Sequence, residues 1–383
     1  MRGRRILVVT PFAPAREAPH GGSRIVAETL QQLATRHRVA LLTLHGHGEP
    51  ATDPALSAVL DHVEEVERRP IGRSTRRLLA ERGRVAAIAR RDPPWVVGSE
   101  VAGARRALPR LVRAWRPDVV QFEFLAMARY ASAVGETRPA TVLVHHDAAP
   151  DGRDAPTSAW ARHARRALTS VDALVVFSEE DRRRSVGLGP ERIHVIRPGI
   201  DLPPPAEGPG RGIVFVGSFA HAPNLEAALR LAREIHPRVR SRLPDAELTL
   251  VGADPPAGLA GLPGVVATGR VADAAAFVNA AAVVAAPLAS GAGVRIKVLD
   301  ALARGRPLVA TTRAVEGLEL VDGEHALVRD DDAAFADALV ALLDDPTARG
   351  RVGAAGRAWA QSNLSWDAVL DRYDLLYGEV TGG

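Results

Sequence analysis

Twice along this chain, short apolar runs alternate with amphipathic stretches of helical period, and one segment between the two series can continue neither. Such alternation is the sequence form of a parallel sheet covered by helices. A strand buried on both faces reads as an unbroken apolar run, and its return connection reads with period 3.6. The first series predicts strands at ILVVT (6–10), RVALLTL (38–44), DVVQFE (118–123), TVLVHH (141–146), DALVVFS (172–178) and HVIRP (194–198), with helices over 22–37, 103–116 and 157–170. It stops at IDLPPPAEGPGRG (200–212), whose prolines and glycines suit neither element and mark a linker. The second series predicts strands at IVFVG (213–217), ELTLVG (247–252), VVATG (265–269), VVAAP (283–287), PLVATT (307–312) and ALV (326–328). Its helices open at Pro223, running past Ile235, and near residue 294, running to about 304.

The expected fold is therefore α/β: two tandem Rossmann-like, doubly wound domains, 1–199 and 213–362, with a final segment, 363–383, that need not belong to the domain preceding it. That segment holds the amphipathic stretch SWDAVLDRYDLLYGEV (365–380). Two such domains leave a cleft at the carboxyl ends of both sheets, where open α/β sheets bind ligands, so motifs should follow strands. Between 50 and 100 the chain is less regular and Arg-rich. Over 71–91 a solvated helix face is the first account and a membrane-surface helix the second.

Composition removes several chemistries. The 383 residues contain no cysteine, which excludes disulfide frameworks, thiolate metal sites, iron–sulfur clusters and cysteine nucleophiles, and fits a reducing cytoplasm. The opening MRGRRILVVTP is too short in apolar residues for a signal-peptide core or a membrane span. The one long apolar run, 274–289, is broken by Asn279 and Pro287 and reads as a short helix feeding a buried strand. Charge is divided unevenly: residues 1–200 hold 32 Arg against 22 acids, net +10, whereas 201–383 hold 17 cations against 23 acids, net −6. A basic first half suits an anionic small ligand before a phospholipid surface or nucleic acid. With 4% aromatic residues and no basic-aromatic platform, nucleic acid is not an expected partner. Lysine occurs once, at Lys297, among 48 arginines, and it lies in the most glycine-rich motif of the chain, where ammonium and guanidinium are not interchangeable.

Three motifs follow strands. Gly21 and Gly22 precede the first helix and can cradle an oxyanion on its free N–H groups, with Arg24 two residues further in; simple turn geometry is the alternative. The intervening loop carries prolines and lacks G-x-G-x-x-G, which disfavours a nicotinamide oxidoreductase. His145, His146 and Asp147 end a strand; alternation sends one histidine into packing and the other, His146, toward the cleft. Neighbours on a strand cannot converge on one ion, so no metal site is expected there. The densest motif spans 287–318. Gly291, Ala292 and Gly293 form a bare loop between strand and helix, Arg295 and Lys297 can reach over a diphosphate, and Asp300 can accept from ribose hydroxyls. Gly217 and Ser218, before Pro223, offer a third anion seat. The acidic run 330–332 fits helix capping better than a metal.

On these residues the whole chain resembles the bacterial glycosyltransferases of family 4, which have the GT-B fold. IHVIRPGID (193–201), VFVGSFAHAPN (214–224), GAGVRIKVLDALARGRPLVATTRAVEGL (291–318) and SWDAV (365–369) carry the likeness. The resemblance implies a cytoplasmic enzyme, without metal or cofactor, that moves a sugar from a nucleoside-diphosphate donor to a small-molecule, glycan or lipid-linked hydroxyl with retention of configuration. It places Arg295 and Lys297 on the diphosphate and Asp300 on the ribose. Arg270 and Val271 would lie beside the base, and His146 and the glycines 21 and 22 beside the sugar and phosphate. Gly217, Ser218, Gly291, Ala292, Gly293, Val294 and Glu316 complete the expected donor site. Peripheral membrane contact would run through 71–91, and the final segment, 363–383, would pack back on the first domain. Three departures stand out: the family's paired glutamates lack the first, near Ala289 and Ser290; Asp300 replaces the second; and the usual Arg and Lys are absent from GSFAHAPN, leaving Arg295 and Lys297 as substitutes. A nucleotide-sugar epimerase on the same fold, or a non-catalytic basic binding protein, is the alternative.

Overall fold

The computed structural model of the chain describes residues 3–16, 21–46, 51–68, 82–135, 138–146, 158–256, 258–259, 261–290 and 296–382. It divides into two compact units, Met1–Gly199 with Trp366–Gly383, and Ile200–Ser365.

The first unit is built on seven strands: β1 (Arg5–Thr10), β2 (Arg38–Gly46), β3 (His62–Arg68), β4 (Val119–Glu123), β5 (Ala140–Val144), β6 (Ala173–Val176) and β7 (Arg192–Val195). Their order is β3-β2-β1-β4-β5-β6-β7 and every pairing is parallel. The order reverses between β1 and β4, so the loops after these two strands flank the switch point of a doubly wound sheet. Helices α1 (Gly21–Arg36), α2 (Ala102–Trp115) and α3 (Ala159–Leu168) supply the crossovers used below. β1 is apolar on both faces because both are covered: Leu7 and Val9 join one core with α2 and α3, and Ile6 and Val8 join the other with α1.

β3 is a strand that the sequence reading passed over. Its sequence HVEEVER holds two adjacent glutamates and no apolar run, yet it pairs with β2 from Ala40↔His62 to Gly46↔Arg68. It is the edge of the sheet, where charged side chains serve to discourage pairing with another chain.

The second unit repeats the pattern with β8 (Arg211–Val216), β9 (Leu248–Val251), β10 (Val265–Ala267), β11 (Ala281–Ala286), β12 (Leu308–Ala310) and β13 (Leu327–Val328), in the order β10-β9-β8-β11-β12-β13. The long apolar run resolves into a helix, Ala275–Ala280, and the wholly buried β11. Helix α4 (Ala222–Arg230) starts with Pro223 in its first turn and passes through a π-turn at Leu231–Ile235. Helix α5 is Ile296–Ala303. The Pro- and Gly-rich segment is held against this unit. Arg306 donates to the Glu207 and Gly208 carbonyls at 2.9 Å, Arg357 to the Pro203 carbonyl at 3.0 Å, and Ala206 N–H to the Arg304 carbonyl at 2.8 Å.

The last helix, α6 (Trp366–Thr381), belongs to the first unit. Val369, Leu370, Tyr373, Leu376 and Tyr377 recur on one face and join the core that contains Ile6, Val8 and Val26. Asp367, Asp371 and Asp374 follow one another along the helix, and Arg36 of α1 meets all three at 2.6 to 3.1 Å. Exposed pairs of this kind add little; the apolar face fixes the helix. No described helix is long and apolar enough to cross a membrane.

Candidate functional site

In the second unit, β8 and β11 are adjacent at the point where strand order reverses, and the loops that follow them line a cavity of about 420 Å³. Gly217 ends β8. A Cβ there would stand 2.8 Å from Cγ of Asn224, so glycine lets the Asn224 amide lie against the strand end. Asn224 donates from Nδ2 to the Ser218 carbonyl at 3.0 Å and accepts at Oδ1 from Lys297 Nζ at 2.5 Å. The same ammonium lies 4.9 Å over the ring of Phe215, in the core of β8. One cation is thus aimed by a side-chain amide and an aromatic face before any ligand arrives. Asp300 also lines the cavity, and its Oδ1 accepts from Arg304 Nε at 2.8 Å. Ser290, four residues past β11, donates to Glu226 of α4 at 2.8 Å.

The expected donor residues fall into three groups. Gly217, Lys297 and Asp300 come together at the cavity. Ser218 is exposed beside it and contributes its carbonyl to Asn224. Arg270 and Val271 follow β10 and are absent from the cavity lining, and Glu316 is exposed and paired with Arg313 at 2.7 Å. Gly291, Ala292, Gly293, Val294 and Arg295 lie outside the described residues. The acidic run serves the fold: Asp331 caps the helix Asp332–Asp344, Asp332 pairs with Arg230 at 2.6 Å, and Asp330 accepts from Thr312. Among the described residues no cluster of histidine and carboxylate side chains could hold a metal.

In the first unit the switch point between β1 and β4 holds a second group. Helix α1 begins at Gly21, so both glycines belong to its first turn rather than to a loop before it. A Cβ on Gly22 would stand 2.8 Å from the Phe124 ring, which gives this glycine a packing reason of its own. Phe124 in turn stacks on His146, centroids 3.9 Å apart, and Phe177 meets the same ring edge-on at 5.0 Å. β5 ends at Val144, and His145 N–H still donates to the Val175 carbonyl of β6 at 2.9 Å, so the backbone pairing runs one residue past the strand. Both imidazoles are covered: the His146 side chain is 5% exposed, bonded through Nε2 to Glu123 Oε2 at 2.5 Å. His145 is packed as expected, and the expectation of an open His146 is corrected accordingly. Asp147 lies outside the described residues.

Sequence reading missed Asn224 and Glu123. Both left a signal: an asparagine one residue after the proline that opens α4, and Gln121 and Glu123 at alternate positions of an otherwise apolar strand.

Burial pushes His145 down to about 4, and burial does the same to His163, whose ring contacts the Leu125 carbonyl at 3.2 Å. The unfolded chain binds these protons from about pH 6.5 downward and the folded unit does not, so stability is intact near neutrality and falls as pH drops from about 6.5 toward 4. At pH 5 the expected loss is about 2 kcal/mol for each histidine. Thermal unfolding at pH 7 and pH 5 checks this: a lower midpoint at pH 5 is expected, and replacing both histidines by leucine should remove much of the difference.

Comparison with known proteins gives a consistent picture. Residues 19–203 match the family model "Glycosyltransferase Family 4" and residues 210–345 the model "Glycosyl transferases group 1". The chain is 32% identical over 186 residues to the phosphatidyl-myo-inositol mannosyltransferase of Mycobacterium tuberculosis, a match covering 45% of this chain and 48% of that protein. It therefore spans about half the length of the curated relatives it matches first. The fold is shared with sucrose-phosphate synthase from Thermosynechococcus elongatus, TM-score 0.64 at 17% identity, covering 99% of this chain and 100% of that one. Anabaena Alr3699/HepE, solved with UDP and glucose, has TM-score 0.61 at 16% identity, covering 97% and 99%.

Proposed function

Since the chain belongs to the family 4 glycosyltransferases, we propose that it moves a sugar from a nucleoside-diphosphate donor to a hydroxyl acceptor, with retained configuration and without a metal. The observation that carries this reading is the pre-aimed Lys297 ammonium in the cavity at the β8–β11 switch point. In glycosyl transfer the bond from the anomeric carbon to the β-phosphate oxygen breaks while negative charge gathers on the departing diphosphate. A cation already fixed at that place stabilises the charge without reorganising. The acceptor oxygen bonds to the anomeric carbon, and its proton passes to the leaving phosphate. Asp300, with one carboxylate oxygen taken up by Arg304, keeps the other for ribose hydroxyls. Arg295 is assigned to the diphosphate beside Lys297, and His146 of the first unit to the sugar.

A lipid-linked acceptor is favoured by the mycobacterial relative, whose name gives phosphatidyl-myo-inositol, and by the +10 charge of the first 200 residues. The described part of the 71–91 stretch supports a membrane-facing surface: the helix Arg82–Ala89 leaves Val85 and Ile88 exposed. A cytoplasmic enzyme working at a membrane face fits these features.

The test incubates wild-type protein with UDP-glucose or GDP-mannose, with EDTA present, with and without phosphatidylinositol vesicles, and follows nucleoside diphosphate and product anomer by NMR. Diphosphate released in step with a glycosylated lipid of retained configuration is the expected result. A changed sugar nucleotide formed without acceptor would establish an epimerase instead.

A further inference from the structure

His146 does not stand alone. Its Nε2 meets Oε2 of Glu123 at 2.5 Å, the other carboxylate oxygen of Glu123 accepts from Gln121 Nε2 at 2.6 Å, and Gln121 Oε1 accepts from the Tyr377 hydroxyl at 2.6 Å. These four groups are buried, and Tyr377 comes from α6, 256 residues along the chain from Gln121. Gln121 and Glu123 sit at i and i+2 of β4, on the face that α6 covers.

The direction of every bond in this row is set by its first member. The Tyr377 O–H donates to the Gln121 carbonyl oxygen, which turns the Gln121 amide N–H toward Glu123. A carboxylate that accepts there on one oxygen presents an acceptor on the other. The proton between Glu123 and the histidine therefore belongs to Nε2, which leaves Nδ1 as the acceptor nitrogen of that tautomer. That atom is buried and has no hydrogen-bond partner among the described residues.

We propose that Glu123 is a positioning residue that holds His146 in the Nε2-protonated tautomer, and that α6 sets this arrangement from a distance through Tyr377 and Gln121. Nδ1 is then the acceptor that a sugar hydroxyl would meet at this ring, a contact that requires the cover over this buried atom to open, and Phe124 stacks on the ring face. The catalytic part of this inference rests on the assignment of His146 to the transferred sugar; the tautomer does not.

The experiment uses full-length protein with nitrogen-15-labelled histidine, His146 signals being identified by their loss in His146→Asn. In wild type Nε2 is expected to be the protonated nitrogen and Nδ1 the lone-pair one. Glu123→Gln keeps the volume but has one acceptor oxygen, which Gln121 occupies, so its amide N–H faces the ring and the proton moves to Nδ1. Glu123→Leu removes both acceptors and leaves a mixture, whereas Glu123→Asp restores the wild-type pattern. Tyr377→Phe loosens the row and gives partial mixing. In the transfer assay Glu123→Gln should lower kcat by about 10- to 100-fold with KM for the donor little changed, since the displaced function is orientation and proton placement. Thermal midpoints of each variant identify any that fail to fold. A His146 tautomer unchanged in both Glu123→Gln and Glu123→Leu overturns the proposal. If no sugar transfer is found at all, the spectra still decide the tautomer, so that failure is separate from failure of the functional reading.

Discussion

Lys297→Ala is expected to lower kcat for sugar transfer by about 10²- to 10³-fold, the cost of removing one fixed donor from a developing oxyanion. Both units should stay folded. The side chain is only half-buried, and its loss removes one hydrogen bond to Asn224 and one contact over Phe215, about 1 kcal/mol each at most. Lys297→Arg should recover only part of the activity, because a planar guanidinium cannot place its charge in the niche that Asn224 and Phe215 build for a compact ammonium. Asn224→Ala should fall between wild type and Lys297→Ala: the cation remains, and its aim is lost. The measurements are kcat for the preferred donor and the unfolding midpoint of each variant. Unchanged turnover in Lys297→Ala would remove this residue from the chemistry.

The second large effect concerns folding. A chain ending at Ser365 lacks α6, and with it five buried side chains of the first unit's core: Val369, Leu370, Tyr373, Leu376 and Tyr377. At about 1.5–3 kcal/mol for each large apolar side chain, the loss is comparable with the about 5–15 kcal/mol that stabilises a whole domain. The first unit is therefore expected not to fold in the truncated chain. The second unit has a separate core, containing Phe215, Val283 and Phe335, and should keep its own cooperative transition. Calorimetry of full-length and truncated proteins distinguishes the outcomes. Loss of one transition is expected, and two retained transitions would contradict the role given to α6.

The same contrast explains what could be read before the structure. Strands buried on both faces, such as β1, β2 and β11, announce themselves because no polar residue can be placed on them without a partner. The edge strand β3 satisfies its outer side with water and charge, so HVEEVER carries no apolar period. The helix Arg82–Ala89 was visible only as composition, within an Arg-rich stretch. At the site, Lys297 was legible because it is the sole lysine in an arginine-rich chain. Asn224 left only its place after the proline that opens α4, since its importance lies in a contact 73 residues away. His146 was found by its place at a strand end, but its burial was not, because β5 stops two residues earlier than TVLVHH suggests and the covering rings, Phe124 and Phe177, arrive from just past β4 and β6. Gln121 and Glu123 were in plain view as two polar residues within a buried strand, and their partner, Tyr377, is far along the chain. Short-range patterns carry the elements, and long-range contacts carry the chemistry.

The central claim, a seat for a nucleoside diphosphate at Lys297, is tested most directly by isothermal titration of the wild-type protein with UDP, GDP, TDP and ADP in EDTA-containing buffer. Saturable one-to-one binding of at least one diphosphate is predicted, with affinity markedly reduced in Lys297→Ala. No binding by any of the four, together with salt-sensitive binding of a short DNA duplex, would contradict it and identify the basic first half as the working surface.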